Sequence, residues 1–299
     1  GLLRLLGQRP PSVLGSRPAW MLLLAVAGLQ LWGTVRLHQL VAREATPGGF
    51  STPLALRLEA VEAAKAMRQT QGGEIIVASA GEKPEIDGTA AIYDALLAGV
   101  PHRFVDVRRS ALVPDGPAVV LLAAAVGGDA SLYEESAVEQ AELPLRRGEG
   151  AERMLAIAEA PAPSVALDEP ALFANWVRLF GYDPLAGAEN GTARWRLYWY
   201  PGDSPDPADY HIFNHLLDAE GTRIAQADTA AYAPWQWRAG DTVISSFVLE
   251  LPAEASRPLT MRTGFYRYPS LENVPVLDVA LNPAADAVAE AHGLFDFDA

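Results

Sequence analysis

Arg194-Trp-Arg-Leu-Tyr-Trp-Tyr200 alternates side chains with a period of two. In an extended chain this sends Trp195, Leu197 and Trp199 to one face and Arg196, Tyr198 and Tyr200 to the other. The pattern predicts a half-buried strand of an antiparallel sheet, with the tryptophans inward. The sequence around it has the same texture. His211 to Leu217 is a second strand, and Asp218-Ala-Glu-Gly221 turns it back into Thr222 to Gln226, with glycine where a positive φ is wanted. Thr242 to Leu251 and Leu259 to Tyr266 supply further strands. The regular spacing predicts an antiparallel β-sandwich of about seven or eight strands over residues 171–283.

Upstream the texture changes. Residues 53–69 carry Leu54, Leu58, Val61 and Ala64 at helical spacing and stop before Gly72-Gly73. Glu74-Ile-Ile-Val-Ala-Ser79 is a buried-strand run, Asp87 is a helix N-cap, and His102 to Val107 and Ala118 to Ala125 are two more strands. Residues 43–159 therefore read as a small α/β layer domain. The stretch Ala160-Pro-Ala-Pro-Ser164 opens a Pro-rich linker over 160–170, and 284–299 is an acidic tail.

The opening of the chain has a different character. From Ala19 to Val35 no residue is charged, which is long enough for a transmembrane helix over 18–42 if Arg36 snorkels. Trp20 and Trp32 sit where indoles favour the bilayer interface, with Arg17 and Arg36 beside them. Arg4, Arg9 and Arg17 make residues 1–17 a basic flank. The expected topology is N-terminus inside and the bulk of the chain outside a bacterial cytoplasmic membrane. A core helix or a signal-like segment is the bland alternative, although no cleavage motif follows the run.

Charge and composition exclude several functions. Removing the five arginines that precede Glu44 from a net charge of −14 leaves −19 on residues 44–299, a surface that repels nucleic acid. The absence of cysteine excludes thiolate chemistry and disulfides. Position 1 is glycine, so the chain is expected to be processed or to be the tail of a longer protein.

Phe173-Ala-Asn-Trp-Val-Arg-Leu-Phe-Gly-Tyr-Asp183, Tyr210-His-Ile-Phe-Asn-His-Leu-Leu-Asp218, Trp237-Arg-Ala-Gly-Asp241 and Gly264-Phe-Tyr-Arg-Tyr-Pro-Ser270 resemble the C-terminal extracytoplasmic region of bacterial, Chloroflexi-type glycosyltransferase family 39-like integral membrane proteins. The resemblance implies a GT-C-type catalytic membrane region upstream of Gly1 and a lipid-linked, polyprenyl sugar donor. The family's catalytic acids belong to an early loop that no position here matches, so it assigns no catalytic residue. The chain is expected to be a non-catalytic accessory region without cofactor. The alternative is a freestanding single-pass envelope protein whose sandwich binds glycan or a protein partner. A glycosidase would need two carboxylates about 5 to 10 Å apart across a cleft.

Among candidate sites, Trp235 and Trp237 follow Pro234 in a loop or strand entry and could stack on a saccharide, whereas Trp195 and Trp199 read as core. His211 and His215 share a strand face but lack a nearby third metal ligand. Asp203, Asp206 and Asp209 form a solvated acidic loop, Asp296-Phe-Asp298 is a chance D-x-D, and Asn190-Gly-Thr192 is a formal sequon. The loop Ala80-Gly-Glu-Lys-Pro-Glu-Ile-Asp-Gly88 has neither phosphate-loop pattern, and its carboxylates oppose a phosphate. It reads as a connection.

Overall fold

In the computed structural model of the protein, the described residues are 17–45, 51–124, 130–185, 192–202, 208–250, 259–278, 280 and 283–285. They fall into two compact units, one within Gly1–Arg57 and Leu145–Gly150, the other within Leu58–Pro144 and Ala151–Ala299.

The first unit is built on the helix α1 (Arg17–Arg43). Its stretch Pro18–Arg43 has a mean hydropathy of 1.5 over its most apolar window, and none of that window is buried. Met21, Leu22, Leu24, Leu29 and Leu31 all face outward. Among the described residues it is the one helix long and apolar enough to cross a membrane or to be a signal sequence. Trp20 and Trp32 are both exposed, and the Arg36 guanidinium lies over the Trp32 ring at 5.7 Å. The side chain of Arg17 falls outside the described residues. The helix ends under positive charge and backbone donors. Arg146 Nη1 donates to Val41 O at 2.9 Å, and the backbone N–H of Arg147 donates to Arg43 O at 2.9 Å, satisfying carbonyls that the last turn leaves without helical partners. Glu149 holds Arg146 in place through a 3.0 Å hydrogen bond, and that bond is the main reason its carboxyl lies below its ordinary range.

The second unit begins with α2 (Leu54–Gln71), whose residues from Leu58 onward belong to it. Then come β1 (Glu74–Ser79), α3 (Gly88–Leu96), β2 (His102–Asp106), β3 (Ser110–Val113), β4 (Ala118–Leu122), α4 (Ser131–Ser136), β5 (Ala137–Pro144) and β6 (Ala151–Ile157). A mixed sheet has the order β2-β1-β4-β6-β5. Its β1 pairs parallel to β2 and β4, and β6 pairs antiparallel to β4 and β5. One face buries Ile75, Val77, Val119 and Leu121 against Val61 and Ala64 of α2 and Tyr93 of α3. The opposite face, with Ile76, Val105, Val120 and Leu155, joins the larger core shared with the antiparallel sheets. Burial on both faces explains why β1 is apolar without alternation.

The rest of the chain forms β7 (Val165–Phe173), β8 (Val177–Leu185), β9 (Thr192–Pro201), β10 (Tyr210–Leu217), β11 (Arg223–Gln226), β12 (Thr229–Ala230), a 3-10 turn (Pro234–Gln236), β13 (Thr242–Glu250), β14 (Thr260–Arg267), β15 (Asn273–Val274), β16 (Val276–Leu277) and β17 (Pro283–Ala285). A seven-stranded sheet runs β17-β16-β7-β8-β9-β13-β3, and a five-stranded one runs β11-β10-β14-β15 with β12 on β10. The expected count of strands is exceeded because short edge strands join both sheets, and because β3 crosses from the upstream segment to pair Val113 with Thr242 of β13. The two sheets meet through aromatic rings. Phe265 of β14 packs edge-on against Phe173 of β7 and Trp199 of β9, with centroids 5.1 and 4.8 Å apart. Fully burying side chains of this size contributes about 1.5 to 3 kcal/mol each.

The strand that opened the sequence analysis departs from its pattern on one face. Trp195, Leu197 and Trp199 are buried as expected, but so are Arg196 and Tyr198. Arg196 Nη2 donates to Ser131 Oγ of α4 at 2.8 Å, and Tyr198 Oη donates to Asp183 Oδ2 at 2.5 Å. Two residues of the polar face are therefore buried with their polar atoms paired, Arg196 to α4 and Tyr198 to the neighbouring strand β8, while Tyr200 stays exposed. The Pro-rich connection is also docked. Ser164 N donates to Asp183 Oδ1 at 2.6 Å, and the Pro163 ring lies so close to Gly181 that a Cβ there would meet it at 2.4 Å.

Candidate functional site

A cleft of about 690 Å³ lies in the second unit, outside the carboxyl ends of β1 and β2. The strand order reverses around β1, because the chain places β2 on one side of it and β4 on the other. Open sheets leave a crevice beside such a reversal.

The first wall begins with the loop after β1. Its turn closes on itself: Ser79 Oγ donates to Gly81 O at 2.8 Å, and Lys83 N donates to Asp87 Oδ2 at 2.8 Å. Gly81 leaves room for the Asp87 carboxyl, since a Cβ would lie 2.3 Å from its carboxyl carbon and push it off Lys83 N. Gln236 of the 3-10 turn ties the loop to β2. Its Nε2 donates to Glu82 O at 3.2 Å and its Oε1 accepts from Phe104 N at 3.0 Å.

Asp106, at the end of β2, organises the charges. Arg108 donates to it through Nε at 2.8 Å and Nη2 at 2.7 Å, a two-pronged pairing. Arg108 Nη2 also donates to Ala80 O at 3.1 Å. Arg109 Nε adds a bond to Asp106 Oδ2 at 3.1 Å, and its Nη2 lies 3.8 Å from Glu82 Oε1. Burial alone would raise the Asp106 carboxyl, but Arg108 and Arg109 outweigh it and hold it below its ordinary range. Glu82 goes the other way. Burial pushes it up to about 7, with Arg109 only partly opposing. Two neighbouring carboxyl groups with opposed shifts are a common feature of functional sites.

The second wall comes from the five-stranded sheet. Tyr268, just past β14, is 54% exposed, and its ring stacks on His211 of β10 at 4.7 Å and 13°. Tyr268 N donates to Asp209 O at 2.9 Å, and His211 Nδ1 shares a 3.1 Å hydrogen bond with Tyr266 Oη. Burial lowers the His211 pKa, with Asp228 opposing. The cleft thus offers guanidinium donors, carboxyl acceptors, one carboxyl able to carry a proton, and a flat aromatic face.

Trp237, one of the two tryptophans chosen from sequence, is not among the residues lining this cleft. Trp237 is 8% exposed, its indole N–H donates to Tyr232 O at 2.7 Å, and its ring lies parallel to Tyr210 at 6.5 Å. It is a core side chain, not the rim platform expected, because the preceding 3-10 turn folds it under the sheet. Trp235 lies in that turn, with its side chain outside the described residues. Trp195 and Trp199 are buried as core. Asp203, Asp206, Asn190 and the Asp296-Phe-Asp298 tail also lie outside the described residues. Among the described residues, no group of three or more His, Asp or Glu is placed to hold a metal ion.

Asp106, Arg108, Arg109 and Tyr268 carry no motif that marks them as site residues in the sequence. One local signal was available: the loop at 80–88 follows a strand apolar enough to be buried on both faces, the place where a crevice opens in α/β folds. No protein-family model matches this chain, and comparison with curated proteins and with solved structures finds no match either.

Proposed function

We propose that this chain is the membrane-anchored, extracytoplasmic accessory region of a GT-C-type glycosyltransferase that uses a lipid-linked sugar donor, and that the chain itself is non-catalytic. The observation that carries the anchor is α1, with its apolar side chains turned outward on every side and Trp20 in its first turn. In this reading α1 crosses the bacterial cytoplasmic membrane with Arg17 inside. The following residues, with the two antiparallel sheets as a β-sandwich, stand outside. The resemblance of residues 173–183, 210–218, 237–241 and 264–270 to family 39-like proteins supports the link to glycosyl transfer. A second reading, a freestanding single-pass envelope protein that binds glycan, is favoured by the cleft.

The absence of cysteine makes the topology directly testable. Single cysteines introduced by Gln8→Cys and Ala158→Cys are to be probed in intact cells with a membrane-impermeant maleimide. Labelling at 158 and not at 8 is expected, and the reverse pattern overturns the orientation. The same full chain in proteoliposomes is expected to leave a polyprenyl-phosphate sugar unconsumed. Turnover by this chain alone would refute the accessory reading.

A further inference from the structure

The cleft at the ends of β1 and β2 has walls of unlike chemistry. One carries charge already organised for hydrogen bonding. Arg108 is held by both Asp106 oxygens and by Ala80 O, yet its side chain is 52% exposed, so the guanidinium is fixed in direction while still facing solvent. The other wall carries Tyr268, which rests on His211 on one side and is 54% exposed. A volume of about 690 Å³ suits a small ligand.

The charge balance selects the ligand class. Carboxyl groups of Glu82, Asp87, Asp106 and Asp209 line the cleft beside the cations of Lys83, Arg108 and Arg109. Asp106 already pairs with both arginines. With Glu82 protonated, the three remaining carboxylates balance the three cations, so no net positive charge is left to hold a phosphate or other strong anion. The described residues offer no cluster for a metal ion. A neutral polyol matches the walls, because each hydroxyl both donates and accepts and can use a carboxylate and a guanidinium in turn. The aromatic face suits a ring with axial C–H bonds. Glu82, kept neutral by burial at pH values below about 7, can donate as well as accept.

We infer that this cleft is a saccharide subsite, in which one neutral pyranose ring of a glycan lays a C–H face on Tyr268 and hydrogen-bonds its hydroxyls to Arg108, which Asp106 holds in place, and to Glu82. This deepens the accessory reading by naming its ligand. It relies on that reading only for the source of the glycan.

The test uses the full chain in lipid nanodiscs, free of sugar-based detergent. D-glucose, D-galactose, D-mannose, L-rhamnose, N-acetylglucosamine and their methyl glycosides are titrated with saturation-transfer-difference NMR, and inorganic phosphate is titrated in parallel by phosphorus NMR line broadening. At least one saccharide is expected to bind in the millimolar range, with its ring C–H protons most strongly saturated. Tyr268→Ala should weaken it about tenfold, as loss of one aromatic contact would, Tyr268→Trp should restore it, and Arg108→Gln should weaken it. Tyr200→Ala, at an exposed ring outside the cleft, should leave it unchanged. The inference is overturned if no saccharide of the panel binds, if phosphate binds more tightly than the sugars, or if Tyr200→Ala weakens binding as much as Tyr268→Ala. Because cysteine labelling reads the anchor independently, loss of the subsite and loss of the anchored topology give different results.

Discussion

Two arginine–carboxylate clusters stand at opposite ends of the same strand, β2, and they differ in how completely they are satisfied. At the start of β2, Arg103 is 4% exposed and uses all five N–H bonds. Nε and Nη2 donate to Glu74, Nη1 and Nη2 to Asp241, and Nη1 also to Gln236 O. Arg238 closes the outer side through a 3.0 Å bond to Glu74. At the other end of β2, Arg108 is half-exposed beside open volume, and Arg109 meets Glu82 only at 3.8 Å, beyond hydrogen-bond range. The closed cluster has no capacity left for a ligand and serves to join β1 and β2 to the turn before β13. The open one retains capacity and has room beside it. Charge alone does not mark a binding site; incompletely used charge beside a cavity does.

The largest effect should come from breaking the closed cluster. Arg103→Met leaves Glu74 and Asp241 as buried charges without their main partner, and should cost about 3 to 5 kcal/mol in denaturant unfolding. If the loss is under about 1 kcal/mol, the cluster is not the fastening described here.

A somewhat smaller effect should appear at the open cluster, and it should depend on pH. Glu82 has a folded value of about 7 against an ordinary 4.5, so the folded state binds more protons than the unfolded state between those values. The wild type should therefore lose stability as pH rises from about 4.5 through 7. Glu82→Gln removes the titration. The variant should match the wild type near pH 4 and exceed it by roughly 3 kcal/mol at pH 8, the free-energy equivalent of the shift. Urea unfolding of both proteins across this range decides it, and parallel pH profiles would contradict the proposed burial of Glu82.

The smallest effect on stability should be at Tyr268. Tyr268→Ala removes an exposed ring and should change unfolding by no more than about 0.5 kcal/mol. Together with the binding loss expected for the same variant, this would separate a residue used for a ligand from one used for folding. A loss of several kcal/mol would move Tyr268 into the structural class.

Much of the secondary structure was legible because its causes are local. The helix now seen as α2, the strand β1, the start of α3 at Asp87 and the β10-to-β11 turn through Gly221 follow from spacing and from turn-residue placement within a few residues, although the Asp87 carboxyl bonds Lys83 N and not the helix it begins. The sheet partners were not legible. Nothing around Ser110–Val113 announces that it will extend a sheet built more than 50 residues later, because a strand edge carries no address in its own side chains. The same limit explains Arg196 and Tyr198, whose period placed them on an open face, while Ser131 of α4 bonds the first and Asp183 of β8 the second. It also explains Trp237, which stands among turn residues in sequence and is nevertheless folded under the sheet.

The chain by itself determined what depends on composition and near neighbours. An apolar helix near its start, an α/β segment, strand-rich sequence beyond it and an acidic surface without thiols all follow from side-chain chemistry over short windows. Only the tertiary structure decided the cleft, because Glu82, Asp106, Arg108, His211 and Tyr268 come from segments up to 186 residues apart. A carboxyl such as Glu82 acquires its raised pKa from the low-dielectric packing around it. Burial is a property of the folded whole, and no local pattern of residues contains it.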